Sequence, residues 1–372
     1  MGPREGRERR LVTYLAVLIF VAAFPFIDRS LGLGLIGKAV PVALFIVLAL
    51  GLNVVVGFAG LLDLGYAAFF AIGAYTVGFL TSQASKLPYH ELNFWLAMAA
   101  AAVVAGLFGV ILGAPTLRLR GDYLAIVTLG FGEIVPLVIR NTPDVTYGIL
   151  GISPIGTPEV ALGGAQFRWS IDSLPWYYLI VAVGALSVFL TTRLRDSRVG
   201  RAWMAMREDE VAAASMGVNL VTTKLFAFSL GASFSGFAGA IWAGYLQQIS
   251  PEQFDFSVSI FVLCMIILGG IGNIWGVVLG GILLGTFDRV LAEKISGGVH
   301  GLGDAFGVPF LSTFDVVLFK SAILGVALVV LMNVRPEGLF PSRRRRAELH
   351  AGDSSIVEEH QVQETLFDKG RT

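Results

Sequence analysis

The sequence predicts an all-α integral membrane protein, a polytopic bundle of about ten transmembrane helices within a range of eight to ten. Three observations carry that fold class. The chain is 55% hydrophobic and only 15% charged, where an ordinary soluble domain carries about 25% charge. Its apolar residues gather in runs of roughly 17–25, enough to cross a hydrocarbon core about 30 Å thick. Glycine contributes 45 of the 372 residues, above the average usage of about 7%, and small residues let membrane helices approach closely.

Taken in order, Met1–Arg10 is basic and 11–27 is apolar. No small-x-small cleavage site ends that run, so it reads as an uncleaved first span with its N-terminus inside. Further spans are expected at 36–57, 58–80, 93–114, 121–140, 175–192, 222–247, 257–270, 273–287 and 314–333. The run 257–270 is short, which suits a re-entrant or tilted segment, and the break at Gly57–Gly60 is either a kink or a loop. Pro143, Pro154, Pro158 and several glycines make 141–174 an ordered external loop. Gly276-x-x-x-Gly280 and Gly281-x-x-x-Gly285 predict close helix packing. Residues 1–341 form the transmembrane domain. The tail 342–372 mixes charged and polar residues without an apolar period and is expected to be a disordered cytoplasmic segment.

Charge distribution gives the expected orientation, because Lys- and Arg-rich short loops stay in the cytoplasm. Ten spans put Arg118 and Arg120, the segment 193–224 and the tail with its Arg343–Arg346 cluster inside, and both termini with them. The cluster is a topological anchor or a contact for anionic membrane lipid. The chain is thereby expected to be a multi-pass membrane protein with both termini cytoplasmic.

Several chemistries find no support. GLGLIGKA (32–39) has glycines at dinucleotide spacing and nearly fits a P-loop, but Ala39 stands where Ser or Thr would hold magnesium, and a membrane run rather than a strand precedes it. It reads as an inter-span turn with Lys38 at the interface. The lone Cys264 excludes an intramolecular disulfide. No metal-ligand spacing, cofactor motif, nucleic-acid motif or catalytic triad is present, so neither an enzyme nor a cofactor is expected, and uphill transport would need ATP hydrolysed on another chain.

One polar stretch interrupts the apolar pattern. Residues 193–221 are a cytoplasmic connection rich in helix formers, and a helix is expected from about Arg201 to Met216, ended by Gly217 and Asn219. Trp203, Met206, Ala213 and Gly217 share a stripe at spacings of three and four, beside Arg207, Glu208 and Glu210. Such a surface docks into a groove on a soluble partner or lies flat on the bilayer. A surface helix prefers basic residues on its polar face, so Asp209 and the two glutamates favour docking.

The blocks GLLDLGYAAFFAIGAYTVGFL (60–80), GDYLAIVTLGFGEI (121–134), VGRAWMAMREDEVAAASMGVN (199–219) and LGGIGNIWGVVLGG (268–281) resemble the LivM-type permease of branched-chain amino-acid ABC importers. The resemblance spans roughly 36–340. It implies a permease subunit that pairs with a second related permease, docks two ATP-binding subunits and receives hydrophobic amino acids from an extracytoplasmic binding protein. The family's cytoplasmic motif maps onto Glu210, Ala213 and Gly217, at a looser spacing than in other importers. Two alternatives stay open: an ATP-independent transporter or channel using Glu133 as a proton relay, and an ABC permease for urea or short amides.

Charge at the bilayer centre costs about 2.5–3.5 kcal/mol on insertion scales. Glu133, twelve residues after Gly121, stands about 18 Å along its span; it lines the translocation path or bonds another helix with a protonated carboxyl. Asn53 and Asp63 flank the Gly57–Gly60 break and either brace it or face the path. Tyr66 and Thr128 complete the set of candidate path residues.

Overall fold

A computed structural model describes residues 21–32, 34–85, 92–116, 122–162, 165–169, 173–297, 299, 316–335 and 338–340. Among these residues the regular structure is helical apart from one antiparallel hairpin. Residues 21–31 form α1. Helix α2 (Ile36–Leu52) runs on into a π-helical end, Asn53–Phe58. Helices α3 (Tyr66–Thr81), α4 (Phe94–Thr116) and α5 (Asp122–Asn141) follow. The short α6 (Pro143–Thr146), a 3-10 turn and the antiparallel strands β1 (Glu159–Leu162) and β2 (Ala165–Arg168) lead to α7 (Ser173–Asp196). Then come α8 (Arg198–Glu208), α9 (Glu210–Ser215), α10 (Leu220–Leu246), α11 (Phe256–Gly269), α12 (Ile274–Thr286, continuing helically to 297) and α13 (Val316–Val334).

Among the described residues, seven helices are long and apolar enough to cross a membrane, and α3 is an apolar helix of 16 residues. The expected count of ten is therefore not established; residues 11–20 of its first span lie outside the described set. The short run 257–270 gains length from a 3-10 turn, giving a span of 19 residues from Pro251 to Gly269. The Gly57–Gly60 break is a π-helical end followed by the non-helical segment 59–65. Within 141–174 the described residues include a short helix, a 3-10 turn and two strands. The tail 342–372 and Arg118, Arg120 and Arg343–Arg346 lie outside the described residues.

Helices α2 and α10 form the centre. In α2, 78% of the spanning window is buried, against 28% in α5. Helix α10 packs chiefly on α4 and then on α3, α7 lies along α2, and α11 and α12 close the other flank of α2. Lipid tails are as apolar as leucine, so such contacts are held by close van der Waals packing rather than hydrophobic expulsion. Small residues provide it: a Cβ on Gly109 of α4 would lie 2.7 Å from the Ala232 Cβ of α10. Gly276 and Gly280 bring α12 onto the backbone of α11, while Gly281 and Gly285 face Ile46 and Val42 of α2. The two G-x-x-x-G stripes thus serve two neighbours.

The two ends of the bundle are built differently. At one end the 147–156 loop is stitched to the chain after α10: Ile152 N–H donates to the Ile249 carbonyl at 3.0 Å and Ile249 N–H returns the bond at 3.2 Å. The Tyr147 hydroxyl reaches the Ala84 carbonyl, and Gly156 N–H donates to Thr81 Oγ1. Trp95, Trp169, Trp176 and Phe94 pack edge to face there. The opposite end gathers the 57–65 segment, the α11–α12 turn and the α8–α9 hairpin.

Candidate functional site

The polar connector is two helices, not one. Asp209 takes extended backbone, closes α8 and caps α9 by accepting N–H bonds from Val211 at 2.7 Å and Ala212 at 3.0 Å. This corrects the single 201–216 helix: helix propensity is continuous through the stretch, but the Asp209 carboxylate satisfies the first orphan amides of a new helix. The amides of Ala212 and Val211 also hold its carboxyl below the ordinary aspartate range. Helix α9 ends at Gly217, whose φ of +87° lets Val218 N–H reach the Ala213 carbonyl and Gly217 N–H the Ala214 carbonyl, the glycine-terminated cap expected of that position.

The stripe read from the sequence faces inward. Trp203, Met206 and Ala213 are buried. The Trp203 indole N–H donates to the Thr223 carbonyl at 2.8 Å and its ring stacks on Phe226 of α10. Gly217 is exposed with open space around it. The outward surface includes Glu208, Asp209, Val211 and Met216, the last 86% exposed. Beside it a groove of about 460 Å³ lies between α8 and the start of α10, lined by Arg198, Val199, Ala202, Thr222, Thr223 and Phe226. Periodicity identifies residues that share a face but not which face meets the bundle.

Two further polar contacts fasten the hairpin. Glu210 pairs with Lys224 of α10 at 2.7 Å, and the lysine side chain is 6% exposed. Arg207 Nη1 donates to the Gly57 carbonyl at 2.6 Å. Sequence reading counted Lys224 only among the basic residues of 193–224 and missed its pairing; an acid fourteen residues before it was the available signal.

The membrane-depth candidates divide into two groups. Asn53, Asp63, Tyr66 and Thr128 are all buried and surround the break. Asn53 Oδ1 accepts from Gly272 N–H at 3.0 Å, joining the π-helical end of α2 to the α11–α12 turn. Asp63 accepts from Gly65 N–H at 2.9 Å, and Thr128 of α5 accepts from Leu64 N–H at 3.0 Å. The Tyr66 hydroxyl donates to the Gly231 carbonyl of α10 at 2.9 Å. These groups meet the need of irregular backbone inside a membrane protein for internal partners. Asp63 Oδ2 and Asn53 Nδ2 have no hydrogen-bond partner among the described residues.

Glu133 stands apart. It is exposed on α5, on a stripe with Tyr123, Ile126, Ile134 and Leu137. Gly130, one turn earlier, has open space where a side chain would be. The two groups are linked by backbone: Gly132, next to Glu133, lies against Gly65, with 2.9 Å between the Gly65 Cα and a Cβ placed on Gly132. No group of three or more metal-ligating side chains occurs among the described residues.

Comparison with known proteins places this architecture in context. Residues 34–332 match the family model described as the permease component of the branched-chain amino acid transport system. The high-affinity branched-chain amino acid transport system permease protein LivM of Salmonella typhimurium is 37% identical over 360 residues, covering 91% of this chain and 77% of the relative. The protein of the same name from Escherichia coli is also 37% identical, over 91% of this chain and 76% of its own. The permease protein LivH of Salmonella typhimurium is 24% identical over 306 residues, 80% of this chain and 91% of the relative. No solved structure matches the chain.

Proposed function

Because this chain belongs to the branched-chain amino acid transport permease family, we propose that it is the permease subunit of an ATP-driven importer of branched-chain amino acids. It works beside a second related permease, two ATP-binding subunits and an extracytoplasmic binding protein. The observation that carries this reading is the α8–α9 hairpin. It is fixed to the bundle by Trp203, by the Glu210–Lys224 pair and by Arg207, yet it turns Val211, Met216 and the acids at 208 and 209 outward. An element anchored on one side and left unsatisfied on the other is suited to receive force from a separate protein.

The direction of that face follows from charge. Arg193, Arg195, Arg198 and Arg201 cluster on the same connector, and positively charged loops remain cytoplasmic. The 147–156 loop is then on the outer side, where a binding protein would deliver its cargo.

The path is assigned to the exposed face of α5. Glu133 lies eleven residues after Asp122, about 17 Å along the helix, and an exposed carboxylate at that depth is not matched to lipid. A related permease subunit covering this face would bury the stripe and leave Glu133 beside a shared polar path. The relatives named LivM and LivH support such a pair. A zwitterion needs transient polar partners for its ammonium and carboxylate and an apolar lining for its side chain, which Ile126, Ile134 and Leu137 provide beside Glu133.

The test is uptake of radiolabelled leucine into proteoliposomes holding this chain, its related permease and the ATP-binding subunits, with the loaded binding protein added. Uptake should require ATP and stop with vanadate. Uptake of the same size without the ATP-binding subunits, or driven by a proton gradient alone, would reject the ATP-coupled reading.

A further inference from the structure

We propose that Arg207 is a positioning residue that transmits movement of the α8–α9 hairpin to the broken end of α2 and, through the 59–65 segment, to α5. This rests on the reading that the hairpin receives force from a separate ATPase.

The contact is built from both sides. A helix leaves its last four carbonyls without helical partners, and the negative end of the helix dipole favours a cation there. Gly57, in the last turn of the π-helical end, presents such a carbonyl, and the Arg207 guanidinium donates to it at 2.6 Å. The arginine stem crosses Gly60, where an added Cβ would lie 2.6 Å from Arg207 Cγ, and Gly60 has a φ of +71°. Gly272 of the α11–α12 turn forms the third side, with 3.4 Å between an added Cβ and Arg207 Nη1. Three glycines, from the π-helical end of α2, the segment after it and the α11–α12 turn, thus form the socket.

From this socket two routes lead into the bundle. Asn53, one helical turn before Gly57, accepts from Gly272 N–H. The α11–α12 turn therefore moves with the end of α2, and with it the segment after α13, where Leu339 N–H donates to the Leu268 carbonyl. The other route is 59–65, which begins under the arginine stem and ends with Leu64 bonded to Thr128 and Gly65 against Gly132. The next residue is Glu133. A π-helical end joined to non-helical backbone has fewer regular hydrogen bonds to break than a continuous α-helix, and local repacking there costs less than bending α2 at its buried centre. The Glu210–Lys224 pair holds α9 on α10, so the hairpin and the start of α10 move together.

Arg207→Ala and Arg207→Lys, made in the complete reconstituted complex, test the assignment. With Ala, subunit assembly and basal ATP hydrolysis should stay near wild type, while leucine taken up per ATP hydrolysed falls by about tenfold or more, on the scale of site-to-site coupling. With Lys, which keeps the cation but not the planar fork, part of that ratio should return. A second measurement reads the path helix directly: Gly130→Cys in a Cys264→Ala background, labelled with a membrane-impermeant thiol reagent. Its labelling rate should differ between the nucleotide-free and vanadate-trapped complexes, and Arg207→Ala should abolish the difference while trapping still occurs. An unchanged uptake-to-hydrolysis ratio, or a labelling difference that survives Arg207→Ala, would overturn the proposal. So would a parallel loss of assembly and hydrolysis, which would make Arg207 a folding or docking residue. ATP-independent uptake by the unsubstituted complex would instead reject the underlying reading.

Discussion

At the scale of single residues, the polar groups near the membrane surface make separable contributions. Lys224 is the more buried partner of its pair, with Glu210 at 30% exposure. Truncating one partner of a fully buried pair costs about 3–5 kcal/mol, and solvent at Glu210 reduces this to about 1–3 kcal/mol. Lys224→Met should lower the thermal unfolding midpoint of the purified protein, and adding Glu210→Gln should restore part of the loss, giving a non-additive cycle. Asp209 acts on α9 alone. The carboxylate form makes its cap, and the folded group titrates below the unfolded one, so its stabilisation is present above the ordinary aspartate range and lost as pH falls below that range through the lowered folded value. Hydrogen exchange at Val211 and Ala212 should therefore be insensitive to pH-linked fraying near neutrality. Asp209→Ala should accelerate it at neutral pH, and Asp209→Asn much less.

At the scale of elements, glycine sets the distances. A Cβ on Gly280 would run into the Met265 carbonyl and stand 2.8 Å from the Gly269 nitrogen. Gly280→Val should separate α11 from α12, at an overpacking cost of about 1–3 kcal/mol, seen as a lower unfolding midpoint and disturbed Gly272–Asn53 pairing. This much was legible in advance, because small-x-x-x-small spacing identifies a helix face that needs close approach. The connector between α7 and α10 was legible as polar and helical for a similar reason. Its division was not: Asp209 resembles any acid in a helical run until its backbone turns extended, although an acid followed by Glu210 and Val211 is also an N-cap pattern. Nor was the inward turn of Trp203, Met206 and Ala213, since a stripe has two possible sides until its neighbour is known. Asn53 and Asp63 were legible as buried polar groups beside a break. Their partners, Gly272 and Gly65, depend on how the chain closes.

At the scale of the whole molecule, the exposed carboxylate on α5 offers a test between the proposed ATP-driven path and a proton relay. Hydrogen bonds to charged groups are worth about 1.5–3 kcal/mol, so a transient partner for the substrate ammonium should be dispensable at a cost. Glu133→Gln should lower the initial uptake rate by about tenfold, a change of about 1.4 kcal/mol, and leave it ATP-dependent when the proton gradient is collapsed. Complete loss of uptake by Glu133→Gln, together with wild-type uptake that persists without ATP and stops when the proton gradient is collapsed, would point to proton coupling instead.

The paired main-chain bonds between Ile152 and Ile249 bear on where such a bundle turns. They stitch the loop after α5 to the exit of α10, while the start of α10 is held through the Lys224 side chain and that of α5 through Thr128. A stiff rim and a compliant base place the fulcrum near the rim: small excursions there accompany larger sweeps at the base. Loosening the rim, by replacing either isoleucine with proline, would let the seal on that side drift even while the base stays locked.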